Sequence, residues 1–184
     1  RQRNLIYATR DDLLDGGELG YKKILQIAKD NIKEFIAENP DRDSKTISRY
    51  ILDNISYSLD EWFHEMPLDD DRVLLRYLMD IVGTGLKKQE EKLGSKSEMG
   101  NFMRIATLQA IDDAWVEQVD YLQQLQSAVM GRSSAQRNPV HEYQRDGLES
   151  FRRMEKTVQR NIIRNILLSN VYLDKEQKLR ILLP

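Results

Sequence analysis

Apolar residues recur every three or four positions along this chain, which is the repeat of amphipathic helices. The longest stripe consists of Met103, Ala106, Thr107, Ala110, Ile111, Ala114, Trp115, Val119, Leu122, Leu125 and Val129. A second stripe consists of Val140, Tyr143, Leu148, Phe151, Met154, Thr157, Val158, Ile162 and Ile166. Proline, which breaks helices, is absent from residues 68–138 and 140–183. The pattern predicts an all-α fold.

The two stripes predict a long antiparallel helical hairpin with a polar turn between its arms. Ser95 and Glu98 have the spacing of a capping box, so the first arm begins there and continues to Met130. Asn138 followed by Pro139 is typical of a helix start, so the second arm begins there.

Shorter helices are predicted before the hairpin. Residues 1–14 have the pattern of the end of a long helix, with Leu5, Ile6, Leu13 and Leu14 as its apolar positions. Gly16-Gly17 breaks this helix. Further helices are predicted at 19–38, from Ser44 as N-cap, and from Asp69–Asp71 to Leu93.

These boundaries divide the chain into three predicted units. The end of a long helix occupies residues 1–14, a small helical lobe 15–94, and the hairpin with a short tail helix 95–184. The tail helix is predicted from Asp174 and Gln177, which have the spacing of N-terminal capping residues. The first and third units can pack together, which would make the lobe an insertion between them.

The composition narrows the classes of function. Lys and Arg total 28 against 30 for Asp and Glu, and this near balance argues against a dedicated nucleic-acid binder. Cysteine is absent, which excludes a disulfide framework or a thiolate metal site and fits a reducing compartment. No apolar run has the length of a membrane span. Because the chain begins inside a helical pattern at Arg1, we expect it to be part of a larger protein.

The sequence contains no recognisable catalytic or cofactor motif. Neither a P-loop nor a dinucleotide-binding glycine pattern is present, and no nucleophile elbow is found. His64 and His141 are far apart and lack further ligands at helical spacing. Asp112 and Asp113 are adjacent on a predicted helix, so their side chains diverge and cannot act as an acid–base pair. We therefore expect no active site, cofactor or metal in these residues, and a hydrolase has no residues to support it.

The turn of the hairpin is polar and free of acidic side chains. Its residues are Arg132, Ser133, Ser134, Ala135, Gln136 and Arg137, and no acidic residue occurs from Tyr121 to His141. Such a tip is either an ordinary solvated loop or a contact surface. Trp115 has two interpretations as well, as a core anchor between the long helices or as part of a contact.

The hairpin resembles the helical scaffold of SecA, the preprotein translocase ATPase. The resemblance is carried by Leu108-Gln109-x-x-Asp112-x-x-Trp115-x-Glu117, Leu125, Arg132-x-x-Ala135-Gln136-x-x-Pro139-x-x-Glu142-Tyr143-x-Arg145 and Phe151. The start, with Gln2-Arg3-Asn4-Leu5-Ile6-Tyr7, Arg10 and Leu13-Leu14-Asp15, is similar to the end of the long scaffold helix. The lobe at 15–94 falls where SecA inserts its helical wing domain.

The resemblance implies a part of a protein-export motor. In that family, ATP and Mg²⁺ bind motor domains that would lie elsewhere in the parent chain. The hairpin is a two-helix finger that enters a SecY-type channel and contacts the unfolded preprotein, here through Arg132–Arg137. Leu108, Asp112 and Trp115 would contact the motor and restrain its ATPase. The parent would be cytoplasmic and peripheral to the inner face of the plasma membrane, and the acid-free tip would suit an anionic membrane surface.

One departure from the family concerns the tip. The usual tyrosine is replaced by Ser134, which offers a hydrogen-bonding hydroxyl but little apolar area. The chain also ends at Pro184 without a cysteine-containing metal-binding tail. Both features suit an accessory SecA of Gram-positive bacteria, of the kind that exports a narrow set of substrates such as glycosylated serine-rich adhesins. The alternative is a free-standing helical interaction module or adaptor without motor function.

Overall fold

The computed structural model describes residues 1–14, 20–59, 66–131 and 138–184, with side chains from residue 1 to 11 in the first range. The six helices in these ranges confirm the predicted all-α class. They are α1 (Gln2–Leu14), α2 (Tyr21–Glu38), α3 (Ser44–Asn54), α4 (Asp71–Leu93), α5 (Lys96–Gly131) and α6 (Pro139–Leu168). Two short strands follow, β1 (Asn170–Leu173) and β2 (Leu179–Leu182). None of the described helices is both long enough and apolar enough to cross a membrane.

α5 and α6 form the predicted antiparallel hairpin, which we call the finger. With 36 and 30 residues, these helices are about 54 Å and 45 Å long. The Ser95 hydroxyl accepts a hydrogen bond from the Glu98 backbone amide at 3.1 Å, as the forward half of a capping box requires. The Asn138 side chain likewise accepts from the Val140 amide at 3.1 Å, so the predicted N-cap is confirmed.

Aspartates cap the helices of the predicted lobe. The Asp70 carboxylate accepts from the first backbone amides of α4, as expected for acids at the positive end of a helix. At α3, however, the prediction of Ser44 as N-cap was wrong by one residue. Asp43 is the cap, and its carboxylate accepts from the Thr46 amide at 2.8 Å. Hydrogen bonds from the Thr46 amide and from the Thr46 hydroxyl lower the pKa of Asp43.

One apolar core joins the helices of the lobe to the finger. It contains buried residues from α2, α3 and α4, and it continues into the first half of α5 and the second half of α6. Ile32, Ile51, Leu78, Phe102 and Ile166 are representative members. The helices of residues 20–93 therefore pack on the base of the finger, while the boundaries proposed for the three units stay a prediction.

The tail is a β-hairpin, so the predicted tail helix was wrong. β1 and β2 pair antiparallel with Val171 opposite Ile181, and these side chains face the core. Asp174, which we interpreted as a helix cap, instead accepts from the Glu176 and Lys178 amides, both at 2.9 Å. This turn connects two strands whose apolar residues alternate, and the alternation is a strand pattern.

The second finger helix differs from its predicted stripe at two positions. Val140 and Leu148 are 60% and 50% exposed. Gly147 and Ser150 face α5 instead, and both are buried. A Cβ on Gly147 would lie 3.6 Å from a methyl group of Leu122, which is an ordinary van der Waals distance, so this position faces α5 without requiring glycine.

Two glycines inside α4 provide a matched test of packing. No atom lies within 4 Å of the position that a Cβ would take at Gly83, whereas Leu167 Cδ2 lies 3.0 Å from that position at Gly85. Gly83→Ala should raise the free energy of unfolding by about 0.5–1 kcal/mol, because alanine is the better helix former. Gly85→Ala should be at least about 1 kcal/mol less stable than Gly83→Ala, because Leu167 must move.

Thermal and urea unfolding of both variants measure this difference. Equal stabilisation by the two substitutions would show that the approach of α4 to α6 at Gly85 is not constrained.

Candidate functional site at the contact of the first helix with the finger

The residues that the resemblance assigns to motor contact lie on one face of α5. Leu108, Asp112 and Trp115 follow one another at intervals of four and three residues, and all are half-buried. α1 lies against this part of the finger, because Arg10 bonds to Asp112 and Ile6 packs in the same cluster as Trp115. We call the contact of α1 with α5 and α6 the junction.

An ion pair holds one end of the junction. Arg10 Nε donates to Asp112 Oδ1 at 2.8 Å, and Arg10 Nη2 donates to Asp112 Oδ2 at 3.4 Å. The two side chains are 34% and 43% exposed. The hydrogen bond and the charge of Asp112 raise the pKa of Arg10. Since two bonds join the same two groups, this pair orients α1 on α5 together with the apolar and amide contacts described below.

An apolar cluster forms the middle of the junction. Ala114, Phe151 and Met154 are buried in it, and Ile6, Trp115 and Val158 pack against it. Trp115 thus packs on a cluster formed by both finger helices, as a structural role requires, while part of its ring lines an open groove. Leu108 packs against the main core of the finger base. The contact of either residue with a motor domain stays a prediction.

A network of side-chain amides forms the other end of the junction. Gln118 Nε2 donates to Gln2 Oε1 and to Ser150 Oγ, both at 3.0 Å. Gln2 Nε2 and Ser150 Oγ in turn donate to the Gly147 carbonyl at 3.0 Å and 2.9 Å. Gln118 is buried, so these bonds satisfy an amide that would otherwise be costly to bury. The network connects α1, α5 and α6.

Our sequence reasoning assigned no role to Arg10 or Gln118. Arg10 was part of the resemblance, but its partner is a hundred residues away in the sequence. Gln118 does leave a signal, because it is the polar member of an apolar stripe. It lies three residues after Trp115 and four before Leu122, where the helical repeat requires a buried side chain.

A groove of about 960 Å³ opens beside the junction, between the start of α1 and the outer half of the finger. Trp115, Leu122 and Phe151 contribute apolar surface, and Arg1 and Arg3 lie at its edge. None of its described lining residues is acidic. The groove thus extends the acid-free character of the hairpin turn along the finger.

The predicted fingertip residues lie outside the described ranges. They are Arg132, Ser133, Ser134, Ala135, Gln136 and Arg137. The last described residues on either side, Gly131 and Asn138, are exposed, and the Met130 side chain beside them is 71% exposed. Contact of the fingertip with a polypeptide stays a prediction.

Together these features define a helical scaffold in which one helix is fixed along a two-helix finger. Residues 1–170 match the SecA wing and scaffold domain, and the chain belongs to the SecA family. The family predicted from the sequence is thereby confirmed.

Several relatives carry the name protein translocase subunit SecA 2. The relative from Streptococcus agalactiae serotype V is 37% identical over 98% of this chain and 22% of that protein. The relative from Pediococcus pentosaceus is 33% identical over 100% and 23%, and that from Staphylococcus aureus strain N315 is 30% identical over 95% and 22%. The SecA 2 names agree with the predicted accessory type. The chain spans about a fifth of the length of these relatives.

The amide network predicts a loss of stability when Gln118 is changed. Gln118→Met keeps the size of the side chain and removes the donor, which leaves Gln2 Oε1 without its bond inside the junction. We expect the free energy of unfolding to fall by about 1–2 kcal/mol in urea denaturation.

The control is Gln124→Met on the exposed side of α5, where the amide donates to Asp120 of the same helix and to no other residue that the structure describes. Its effect should stay within about 0.5 kcal/mol. Similar losses in the two variants would contradict a stabilising role for the network.

Proposed function

We propose that this chain is the wing and scaffold part of an accessory SecA translocase, and that it couples ATP hydrolysis to movement of a preprotein. The family membership and the SecA 2 names of the relatives support this proposal. ATP and Mg²⁺ would bind motor domains of the same parent protein. The partners would be those motor domains, a SecY-type channel and an unfolded preprotein. The parent would work on the cytoplasmic side, peripheral to an anionic membrane surface, and no nucleic acid would take part.

The observation that carries the proposal is the paired geometry of Arg10 and Asp112. The pair ties α1 to the α5 face that the resemblance assigns to motor regulation. A motor domain that moves α1 would therefore move the finger with it. A finger helix of about 54 Å turns a small rotation at its base into a larger displacement at its tip.

The same geometry suggests how the finger restrains the motor. As long as Asp112 binds Arg10, α1 keeps a fixed orientation. The motor domains that contact α1 then stay in a conformation that hydrolyses ATP slowly. Rupture of the pair frees α1 to rotate. The restraint is then a property of the junction as a whole, because Gln2 and Gln118 hold its other end.

Breaking the ion pair should raise basal ATP turnover of the full-length translocase. We expect Arg10→Ala and Asp112→Ala each to increase phosphate release at least twofold in the absence of channel and preprotein. Exchanging the charges in Arg10→Asp/Asp112→Arg should bring turnover back toward that of the unmodified protein.

The matched control is Arg49→Ala, which breaks the exposed Arg49–Asp53 pair within α3 at 3.6 Å. It should leave turnover unchanged. If both single variants at the junction hydrolyse ATP at the unmodified rate, the proposed restraint is wrong, and a free-standing interaction module becomes the better interpretation.

A charge at the proposed fingertip should impair export by the full-length protein. Ser134→Glu places a carboxylate in a turn that has none and that we expect to touch both the preprotein and the membrane surface. Export of a substrate protein into vesicles should fall at least fivefold. Ser97→Glu, at the base of α5, should have no effect, because an acid in the first helical turn is favourable. Normal export by Ser134→Glu would show that the fingertip does not contribute to export.

A further inference from the structure

A second cleft lies away from the junction, between the lobe and the base of the finger. It has a volume of about 720 Å³ and is lined by α2 and α3 on one side and by α6 on the other. None of the residues assigned to the export function lines it. The proposed export function therefore does not account for the residues that line this cleft.

The α6 wall of this cleft is basic. Arg153, Arg160 and Arg164 follow one another at intervals of seven and four residues, and all line the cleft. None of the three forms an ion pair with a described residue. Arg164 Nε is buried and has no hydrogen-bond partner in the described part of the chain. A fourth cation on this wall, Lys156, is already paired with Glu34 of α2.

The opposite wall carries three acids, and none of them forms an ion pair with these guanidinium groups in the described part of the chain. Of its acids, Glu34 is held by Lys156, and Asp53 is paired with Arg49 at 3.6 Å. Glu38 is the remaining carboxylate among the lining residues, and no ion pair with a described residue involves it. The lining residues thus carry four cations against three carboxylates, a net charge of one positive, and the three cations without an ion-pair partner among the described residues all lie along α6.

The floor of the cleft is aromatic. The rings of Phe35 and Tyr50 stack with their centroids 4.0 Å apart and an angle of 18° between their planes. Burial raises the pKa of Tyr50, so its hydroxyl stays neutral and can donate a hydrogen bond. The cleft therefore offers an apolar base beside a row of cations.

We propose that this cleft binds a short, extended, acidic segment of a partner protein. Arg153 and Arg164 are separated by about 16 Å along the helix axis, which is too far for one compact anion such as phosphate to bridge. An extended chain covers this distance in about five residues. Its side chains alternate, so carboxylates can face the guanidinium groups while apolar residues face Phe35 and Tyr50. The proposal does not depend on the export function.

Binding of a defined peptide tests the proposal on the 184-residue chain. The probe is a fluorescein-labelled octapeptide in which glutamate alternates with leucine, and binding is followed by fluorescence polarisation. The expected result is saturable binding that weakens at least tenfold in Arg153→Gln/Arg160→Gln. The matched control is Arg145→Gln/Arg152→Gln, which removes the same charge from α6 at exposed positions outside the cleft and should change the Kd less than twofold.

Three results would overturn the proposal. The first is no binding of the acidic peptide, or equal binding of an octapeptide that alternates lysine with leucine. The second is an equal loss of affinity in the two double variants, which would show attraction to the whole surface. The third is that a ten-nucleotide single-stranded RNA or anionic lipid vesicles bind more tightly than the acidic peptide, and that Arg153→Gln/Arg160→Gln abolishes this binding. That result would assign the cleft to another class of partner. Circular dichroism of both double variants confirms that they are folded.

Discussion

Two helices of 36 and 30 residues have to pack against each other over most of their length, and every other element of this chain rests on that contact. α1 lies where the two helices carry the Gln118–Ser150 bond, and the lobe helices pack on their base through the shared core. The tail strands add to the same core through Val171. Loss of the α5–α6 contact would thus separate the junction from the lobe as well.

The junction and the core at the base differ in physical character. The core consists mainly of apolar side chains, from Ile32 in the lobe to Ile166 in the finger, and the buried Gln89 amide donates to the Ile166 and Ser169 carbonyls within it. At the junction, the described side chains of α1, from residue 2 to 11, include one partly buried apolar side chain, Ile6, between polar contacts at Gln2 and Arg10. Segments with few buried apolar contacts open at lower free energy than the core does. The described part of the chain therefore combines a well-packed base with a weaker attachment of α1, as the proposed coupling between motor and finger would require.

The sequence predicts the helices of this fold much better than their contacts. The stripe along α5 and the cap at Asn138 placed the finger correctly, because periodicity and capping are local properties. Val140 and Leu148 were assigned to the wrong side, because the rotation of α6 that buries Gly147 and Ser150 is decided by packing against the partner helix. The tail was mistaken for a helix, because a four-residue strand is too short for its alternation to outweigh a capping signal.

The candidate site shows the same difference between local patterns, which the sequence predicts, and contacts between distant segments, which it does not. Leu108, Asp112 and Trp115 lie on one face of α5, because their spacing alone places them there, and their contact with a motor domain stays a prediction. The partner of Asp112 was not found from the sequence, since ion pairs between distant segments leave no periodic signal. The basic cleft was not predicted from the sequence either. Its cations belong to one helix, and acids elsewhere in the chain balance their charge.

The buried amide of Gln118 has a further consequence for the length of the finger. Apolar side chains in a stripe can exchange partners if one helix slides along the other, but this amide finds its acceptor at Ser150 in a single alignment. A slide by one helical turn would move the end of α5 by about 5.4 Å and leave the amide without that acceptor. Gln118 thus fixes the alignment of the two finger helices, and with it the reach that the proposed stroke would have.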